Sequence, residues 1–427
     1  MLNWKVVKSP IFCVNSFAAI AFVIYAGSLI FNHSANLVDI TACRTYKAPH
    51  NPSDVSEAQQ IAAKAPEQIK ENTTGSTPLL NKQATSEEEE DSEKPDPMVP
   101  PPNLRGEEKR KWIRKTVPEL EILKSNDSGQ RFNGRVMEFF NQQCTIQFFM
   151  IWFSPAGKFG PREFLSVDSL LKSNPQACLM ILSKSLDTIR GYKILKPFLD
   201  RELKVFAVTT DVPFLVKNTP AEVWLEDIKS GKLDPGTISF TIHLSDLVRM
   251  AILYKYGGVY LDTDFLVLKN FEGLRNAIGV QIIDRASKNW KSVNNALQIF
   301  DIWHPMLFQF IKEYATNFKP NIWGENGPYL LSRIIKRLDA GRSPVYNISV
   351  LPRKAFYPVD WLHISRLYKK PTTEEESKWA EETVAELSRE SYAIHLWNQI
   401  SRPLVIEEGS VIERLIASHC LICQKVL

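Results

Sequence analysis

Short apolar runs and amphipathic periodic segments alternate through the middle of this chain. Uninterrupted apolar runs are typical of strands buried on both faces, and an apolar period close to that of the α-helix is typical of amphipathic helices. The runs predict strands at 147–153, 178–182 and 204–208, and the periodic segments predict helices at 162–172, 191–200 and 220–230. Strands that alternate with helices predict an α/β protein, in which helices cover both faces of a largely parallel sheet.

The second half of the chain has a less regular pattern. The same criteria predict strands at 277–283, 295–300, 346–351 and 391–398, and helices at 305–317, 328–338 and 410–419. Another helix is predicted at TTEEESKWAEETVAEL, where acidic residues in the first turn suit the positive end of a helix dipole. Together the two halves predict a Rossmann-like mixed sheet flanked by helices.

The segment at residues 245–268 reads SDLVRMAILYKYGGVYLDTDFLVL and is the most informative part of the chain. Ser245 is predicted to cap a helix that buries its aliphatic side chains, which leaves Asp246 and Arg249 together on another face. The Gly-Gly pair ends this helix, because glycine enters the left-handed C-terminal turn without a steric penalty from a Cβ atom. A single strand is predicted to follow.

Two acidic side chains lie on this predicted strand. Side chains alternate along a strand, so Tyr260, Asp262 and Asp264 are predicted to point to the same side, at the carboxyl end where α/β sheets bind ligands. Two carboxylates there form a hard oxygen site that suits Mn²⁺ or Mg²⁺. The alternative is a solvated acidic pair at a strand end, and in either case we expect an exposed Asp264 carboxylate.

The run LSDLVRMAILYKYGGVYLDTD resembles the central segment of the glycosyltransferases of family 32. This family includes lactosylceramide 4-alpha-galactosyltransferase, alpha-1,4-N-acetylglucosaminyltransferase and plant relatives, and bacterial glucosylating toxins are more distant relatives. The resemblance extends over residues 146–423. It implies a nucleotide-sugar transferase fold of the GT-A type, a UDP-sugar donor, a glycan or glycolipid acceptor, a Mn²⁺ or Mg²⁺ cofactor, and an alpha linkage formed with retention of configuration.

The resemblance also implies roles for individual residues. Asp264 would bind the metal ion directly, and Asp262 would reach the ion or the ribose of the donor. Asp246 and Arg249 would contact the donor sugar, and Tyr260 would line the same pocket. The alternative for Asp246 and Arg249 is an ion pair on a helix surface, which contributes little to stability. Asp246 is also the nearest candidate for the carboxylate nucleophile that a double displacement needs.

Three later segments match the pattern of the family. The further donor contacts that they imply are Asn294 and Asn295 in a turn before a strand, Gly324 and Gly327 in a Trp-Gly-x-x-Gly-Pro loop, and Trp397. His395 belongs to the same His-x-Trp-Asn motif as Trp397, and it would complete the metal site. The alternative for a single histidine on a strand is a core residue with satisfied hydrogen bonds.

The N-terminal region contains a segment of a different kind. Residues 11–31 are apolar and uncharged, and lysines precede them. This length spans a bilayer core and the lysines favour a cytoplasmic N-terminus, so we expect a signal-anchor with residues 1–10 in the cytoplasm. A cleaved signal peptide is the alternative, but the apolar run is longer than that of a typical signal peptide. With the resemblance, this implies a type II Golgi membrane protein.

Composition divides the rest of the chain into two parts. Residues 32–130 are rich in polar residues, proline and acids, and they have too few apolar residues to offset the entropy cost of folding. We therefore expect a disordered stem, and a short basic helix around residues 107–115 is the alternative near its end. Residues 131–427 form the predicted lumenal domain, with a donor-binding part at 146–270 and a C-terminal part at 290–423.

Charge and cysteine content limit the partners and the compartment. The formal net charge is +4, and no Lys/Arg cluster is interleaved with aromatic residues, so no nucleic acid partner is expected. Cys420 and Cys423 are predicted to form a structural disulfide or to remain buried thiols, in preference to a zinc half-site. Four sequons fit a glycoprotein of the secretory pathway, and they begin at Asn32, Asn72, Asn126 and Asn347.

Three functions are compatible with these features. A metal-dependent glycosyltransferase is preferred over a non-catalytic lumenal binding or scaffold protein and over a metal-dependent hydrolase of nucleotide sugars. A scaffold has no physical need for a metal site together with Asp246 and Arg249, which favours an enzyme. Variable loops usually read the acceptor, so the acceptor and the transferred sugar stay open at this stage.

Overall fold

The computed structural model describes residues 96–124, 128–338 and 341–423. The predicted membrane span at 11–31 and residues 32–95 of the predicted stem lie outside these ranges. Within the described ranges, no helix is both long enough and apolar enough to cross a bilayer.

A seven-stranded mixed sheet forms the centre of the fold, with a two-stranded sheet beside it. Their strands are β1 (Gln147–Ile151), β2 (Cys178–Leu182), β3 (Lys204–Val208), β4 (Gly258–Leu261), β5 (Phe265–Val267), β6 (Ala277–Ile283), β7 (Trp290–Phe300), β8 (Ser349–Leu351) and β9 (Ala393–His395). The order in the large sheet is β3-β2-β1-β4-β7-β6-β8, and β5 pairs with β9. The predicted α/β class is confirmed, and β2, β3 and β6 have their predicted bounds.

The parallel and antiparallel parts of the large sheet meet at β4. Strands β1 to β4 form the parallel part, whereas β7 runs antiparallel to β4 and β6. The chain leaves β1 toward β2 and β3 on one side and returns to β4 on the other. The gap beyond the carboxyl ends of β1 and β4 is therefore a topological switch point, where open α/β sheets bind their ligands.

Helices cover both faces of the large sheet. They are α1 (Gly106–Thr116), α2 (Ser128–Phe140), α3 (Pro161–Ser173), α4 (Ile189–Leu199), α5 (Val212–Val216), α6 (Ala221–Lys229), α7 (Phe240–Tyr256), α8 (Pro305–Thr316), α9 (Pro328–Arg337), α10 (Glu374–Glu390), α11 (Asn398–Ser401) and α12 (Val411–His419). In β1, Phe149 and Ile151 lie in the apolar core on one face, and Phe148 and Met150 lie in the core on the other. Burial on both faces explains why these strands read as continuous apolar runs.

A third apolar cluster packs the small sheet against C-terminal helices. Leu266 of β5 and Ile394 of β9 lie in it together with Leu165 of α3, Leu387 of α10 and Leu415 of α12. Because only three residues separate the end of β4 from the start of β5, this cluster places β9 beside the carboxyl end of β4. The second half of the chain therefore reaches the switch point of the large sheet.

The folded region begins earlier than the composition predicts. Residues 106–123 form α1 and two short 3-10 turns, and Ile113, Val117, Leu120 and Leu123 are buried in the main core. The prediction of a disordered stem is wrong for this stretch, whereas the basic helix that was its alternative is present. Composition averaged over a long segment hides a few spaced apolar side chains, which are enough to dock a helix on a core that the rest of the chain supplies.

Two disulfides link cysteines of the described residues, Cys144 with Cys178 and Cys420 with Cys423. Of the two alternatives predicted for Cys420 and Cys423, a structural disulfide or buried thiols, the disulfide is the one present. The backbone N–H groups of residues 421–423 donate to the carboxylate of Asp168 in α3. The second disulfide therefore closes a loop that is docked on the fold.

Candidate active site

Asp262 and Asp264 lie in a turn where the apolar pattern predicted a single strand. β4 ends at Leu261 and β5 begins at Phe265, and the two strands belong to different sheets. The prediction is wrong because the apolar pattern continues across the point at which the chain changes sheets. The backbone N–H of Asp262 donates to the carbonyl of Ala296 in β7 at 2.8 Å. The turn, and not strand alternation, therefore sets the positions of the two carboxylates.

The pairing of β5 with β9 brings a histidine to Asp264. His395 lies opposite Phe265 in the register, so it neighbours the residue before Phe265. Nε2 of His395 lies 3.2 Å from Oδ1 of Asp264, and the backbone N–H of Asn398 donates to Oδ2 at 3.0 Å. Only 15% of the Asp264 side chain is exposed. The expectation of an exposed Asp264 carboxylate is therefore wrong.

Asp262, Asp264 and His395 have the chemistry of a metal site, and we call them the Asp–Asp–His group. One ligand atom from each lies within 4.8 Å of the others. Adjacent ligands at about 2.1 Å from an octahedral ion lie about 3 Å apart, which is close to the 3.2 Å between Asp264 and His395. Carboxylates suit Mg²⁺ and Mn²⁺, and an added imidazole favours a transition metal such as Mn²⁺. The group therefore fits a divalent cation.

Helix α7 buries two further charged residues beside this group. The helix begins at Phe240, so Ser245 is an interior residue and not the predicted cap. Only 7% of Asp246 and 7% of Arg249 is exposed. Since both are buried, the alternative of an ion pair on a helix surface is wrong.

The Gly-Gly pair makes the turn from α7 into β4. Gly257 and Gly258 have φ angles of 67° and 100°, in the region that favours glycine. A Cβ atom on Gly258 would lie 2.5 Å from the backbone oxygen of Gln147 in the segment that begins β1. Glycine is therefore required for β4 to lie next to β1 directly after the helix. The prediction that the Gly-Gly pair ends the helix and leads into a strand is confirmed.

Arg249, Asp246, Tyr260 and Asn295 form what we call the Arg249 cluster. Nη1 of Arg249 donates to the backbone oxygen of Asn295 at 3.0 Å and lies 3.3 Å from Oδ1 of Asp262. Cζ of Arg249 lies 4.8 Å from the ring centroid of Tyr260, and the Tyr260 hydroxyl donates to Asp262. Asp262 therefore links the Arg249 cluster to the Asp–Asp–His group.

The carboxylate of Asp246 is enclosed on several sides. Nδ2 of Asn295 donates to its Oδ1 at 2.7 Å, and Nη2 of Arg249 lies 3.7 Å from the same oxygen. A Cβ atom built on Gly327 would lie 2.8 and 2.9 Å from the two carboxylate oxygens. The missing side chain at Gly327 therefore provides the space that Asp246 occupies.

Burial and neighbouring charges move the pKa values of the acids in different directions. Burial raises the pKa of Asp246. Burial also raises the pKa of Asp262, and the Asp264 charge adds to this effect against the attraction of Arg249. Burial acts on Asp264 in the same direction, but His395 and the Asn398 N–H outweigh it and leave the pKa of Asp264 lowered. Asp264 is therefore the carboxylate best able to stay charged.

Burial lowers the pKa of Arg249, but the nearby acidic groups outweigh this effect and raise it. Arg249 thus stays a buried cation between Asp246 and Asp262. One guanidinium is shared between two carboxylates on this side of the site.

Asn294 and Gly324 lie outside these two groups. Asn294 is inside β7 and not in a turn before a strand, and its Nδ2 donates to Oε1 of Gln281 at 2.9 Å. Gly324 has a φ of 75°, and its carbonyl accepts from the backbone N–H of Gly327 at 3.2 Å. Gly324 therefore shapes the loop that carries Gly327, whereas Asn294 braces two strands.

Trp397 and Asn398 extend the site beyond His395. The backbone N–H of Trp397 donates to Nδ1 of His395 at 3.3 Å. Asn398 is buried, and its Nδ2 has no hydrogen-bond partner, while Nη1 of Arg162 donates to its Oδ1 at 3.4 Å. Asn398 and Arg162 are absent from the predicted site. The His-x-Trp-Asn motif was a signal for Asn398, but no sequence signal marks Arg162, because its partner lies 236 positions away.

The fold and the site define an α/β protein that carries an Asp-x-Asp turn at the switch point of its sheet. A family model described as the glycosyltransferase sugar-binding region containing the DXD motif matches residues 160–283, and one described as the alpha 1,4-glycosyltransferase conserved region matches residues 299–427. Lactosylceramide 4-alpha-galactosyltransferase from Rattus norvegicus is 30% identical over 270 residues, which cover 60% of this chain and 68% of that protein. The chain therefore belongs to this family of alpha-1,4-glycosyltransferases.

Other proteins are similar over different shares of their length. An uncharacterized Arabidopsis thaliana protein is 30% identical over 298 residues, which cover 68% of this chain and 44% of that protein. Human alpha-1,4-N-acetylglucosaminyltransferase is 27% identical over 234 residues, which cover 52% of this chain and 62% of that protein. Among solved structures, the PaToxG glycosyltransferase matches with a TM-score of 0.33 and 20% identity, over 51% of this chain and 82% of that one.

Proposed function

We propose that this protein transfers a hexose from a UDP-sugar to a hydroxyl group of a glycan or glycolipid, with Mn²⁺ as cofactor and a nucleotide-sugar domain of the GT-A type. The observation that carries the proposal is the Asp–Asp–His group at the switch point of the sheet. The family supplies the reaction class, and the activities for which the relatives are named support galactose or N-acetylglucosamine as the sugar.

The three members of the Asp–Asp–His group would hold the ion. When bound, the ion would act as a Lewis acid that offsets the negative charge on the departing diphosphate. Arg249 and Tyr260 hold Asp262 in one orientation through contacts to its carboxylate. Asn398 and His395 do the same for Asp264. Fixed ligands of this kind cost little reorganisation during the reaction.

Asp246 fits an orienting role better than that of a nucleophile. Its carboxylate accepts a hydrogen bond from Asn295 and lies against Gly327, which leaves little room for the anomeric carbon of a sugar to approach it. From this enclosed position it would hold Arg249 and Asn295 in place around the donor sugar. The proposed alpha linkage with retained configuration therefore does not depend on attack by Asp246.

The proposal also includes a location in the Golgi membrane, with residues 11–31 as the signal-anchor and the catalytic domain in the lumen. Support comes from the uncharged apolar run and the sequons. Two disulfides in the described residues suit an oxidising compartment. Glycosylation of the purified protein and a protease-protection assay on sealed Golgi vesicles would test this location; cleavage of the domain from outside intact vesicles would contradict it.

The activity can be tested with the full-length chain in detergent. UDP-galactose, UDP-glucose and UDP-N-acetylglucosamine would be offered with lactosylceramide or free lactose as acceptor, in Mn²⁺, Mg²⁺ or EDTA. We expect transfer from one donor that needs both acceptor and metal. UDP release that is independent of every acceptor would indicate a hydrolase, and absence of UDP binding would indicate a scaffold.

A further inference from the structure

A rigid loop next to the Arg249 cluster holds apolar side chains in solvent. Ile322 and Trp323 are 53% and 54% exposed, and Tyr329, at the start of α9, is 45% exposed. Scattered exposed apolar residues are common, but three large ones within eight positions of one loop and helix start point to a binding surface. We call these three residues the Trp323 patch.

The loop that carries the Trp323 patch is fixed at its base. Asn326 is buried, exchanges hydrogen bonds with the backbone of Lys319 at 2.8 and 2.9 Å, and contacts His243 at 3.2 Å. Glu325 binds Arg333 at 2.6 Å and Lys319 at 3.1 Å. These contacts hold the loop, so the exposure of Trp323 is built into the fold and does not result from a lack of anchoring.

The loop that carries the patch reaches the candidate donor site at Gly327. The Gly324 carbonyl accepts from the backbone N–H groups of Gly327 at 3.2 Å and Tyr329 at 3.1 Å, so the loop folds tightly on itself. Gly327 in turn lies against the carboxylate of Asp246. Trp323 therefore directly precedes the tight turn whose last residue encloses Asp246.

The chemistry of the patch selects the kind of ligand. Its three side chains are uncharged, so they offer nothing to the diphosphate of a donor. A pyranose ring has one face of C–H groups, and that face loses apolar surface to water when it stacks on an aromatic ring. Tyrosine and tryptophan also add a hydroxyl or an indole N–H that can bond sugar hydroxyls.

We propose that the Trp323 patch is the acceptor subsite, where a neutral pyranose ring of the acceptor glycan stacks on Trp323. This inference rests on the proposed transfer reaction and adds the residues that select the acceptor. The proposed donor contacts in the Asp–Asp–His group and the Arg249 cluster do not include the Trp323 side chain. Acceptor affinity and donor affinity are therefore separable by substitution.

The test compares wild type, Trp323→Ala, Trp323→Phe and Tyr192→Ala in the full-length chain. Tyr192 lies on α4 and is 47% exposed, so it is a matched surface aromatic outside the site. Saturation-transfer NMR would measure binding of methyl β-lactoside in the presence of UDP and Mg²⁺, and calorimetry would measure binding of UDP itself. Thermal unfolding would verify that each variant is folded.

We expect Trp323→Ala to weaken methyl β-lactoside binding about tenfold, the order expected for the loss of one stacked ring face. Trp323→Phe should retain most of the affinity, Tyr192→Ala should retain all of it, and UDP affinity should be equal in the four proteins. If the wild type binds UDP but not the lactoside, or if Trp323→Ala binds the lactoside as the wild type does, the inference is wrong. If the wild type does not bind UDP, the proposed function itself fails.

Discussion

The Arg249 cluster and the Asp–Asp–His group lie side by side but differ in how their charges are compensated. In the Arg249 cluster, a buried cation faces acids on two sides and each acid has further hydrogen-bond donors. In the Asp–Asp–His group, two carboxylates lie close together with one imidazole, which is a cation only when protonated. The Arg249 cluster has its cation and its hydrogen-bond donors within the chain, whereas an added cation would stabilise the two close carboxylates of the Asp–Asp–His group.

This difference separates two kinds of functional residue. Residues of the Arg249 cluster stabilise the local structure, and substituting them should lower the stability of the fold first. Residues of the Asp–Asp–His group hold a ligand, and their loss should appear first in metal binding and turnover. Four substitutions test the distinction, with effects that decrease in the order given.

The largest effect is expected for Arg249→Met, which leaves the buried Asp246 carboxylate and the partly buried Asp262 carboxylate without their cation. Breaking a buried ion pair by removal of one partner costs about 3–5 kcal/mol. Urea unfolding would measure the loss in the free energy of unfolding. Arg275→Met is the matched control, because Arg275 pairs with Asp301 on the surface at 2.8 Å and should contribute at most about 1 kcal/mol. Equal losses in the two variants would contradict the distinction.

Asp264→Asn should abolish stabilisation by the metal and lower turnover by about 100-fold or more, since one charged ligand is lost. Mn²⁺ at about 100 times its dissociation constant should stabilise the wild type by about 2.7 kcal/mol and should leave the variant unchanged. Thermal unfolding with and without Mn²⁺ would measure this stabilisation in the wild type and in the variant, and the transfer assay would measure turnover. Asp200→Asn, at an exposed helix end, is the control. A variant that kept its response to Mn²⁺ would exclude Asp264 as a ligand.

Gly327→Ala tests the enclosure of Asp246. The added methyl group would lie within 3 Å of both carboxylate oxygens and of Nδ2 of Asn295, and overpacking of this kind costs about 1–3 kcal/mol. Gly341→Ala is the control, because nothing lies within 4 Å of its added Cβ atom. Chemical unfolding of the two variants would show the difference, and an unaffected Gly327→Ala protein would mean that Asp246 is not confined as described.

The smallest effect concerns His243, which anchors the patch-bearing loop to α7. Burial lowers the pKa of His243 to about 4, from its ordinary value of 6.5. Between these two values the unfolded chain binds the proton more readily, so stability falls as the pH drops below about 6.5. The expected loss from pH 7.5 to pH 6 is about 1 kcal/mol. His243→Gln should flatten this part of the pH–stability curve, and an unchanged slope would assign the loss to other groups.

Local patterns were sufficient for most elements of the sheet and for the acids themselves. β2, β3 and β6 follow from apolar runs, and the Gly-Gly turn follows from the conformational freedom of glycine. The Asp-x-Asp pair and His395 were found from motifs. The errors lie where chain segments meet, as in the turn that divides β4 from β5 and in α1, which docks on a core made by distant residues.

Periodicity and glycine positions act over a few residues, so they were enough to predict most strands and helices and the acidic side chains of the site. The contacts of Asp264 with His395 and with Asn398, the latter 134 positions away, and the burial of Arg249 between two acids were visible only in the folded protein. Those contacts depend on the pairing of β5 with β9 and on the packing of α7 beside β7. Such long-range contacts form because whole faces of helices and sheets are buried against each other, and no short stretch of sequence specifies which faces will meet.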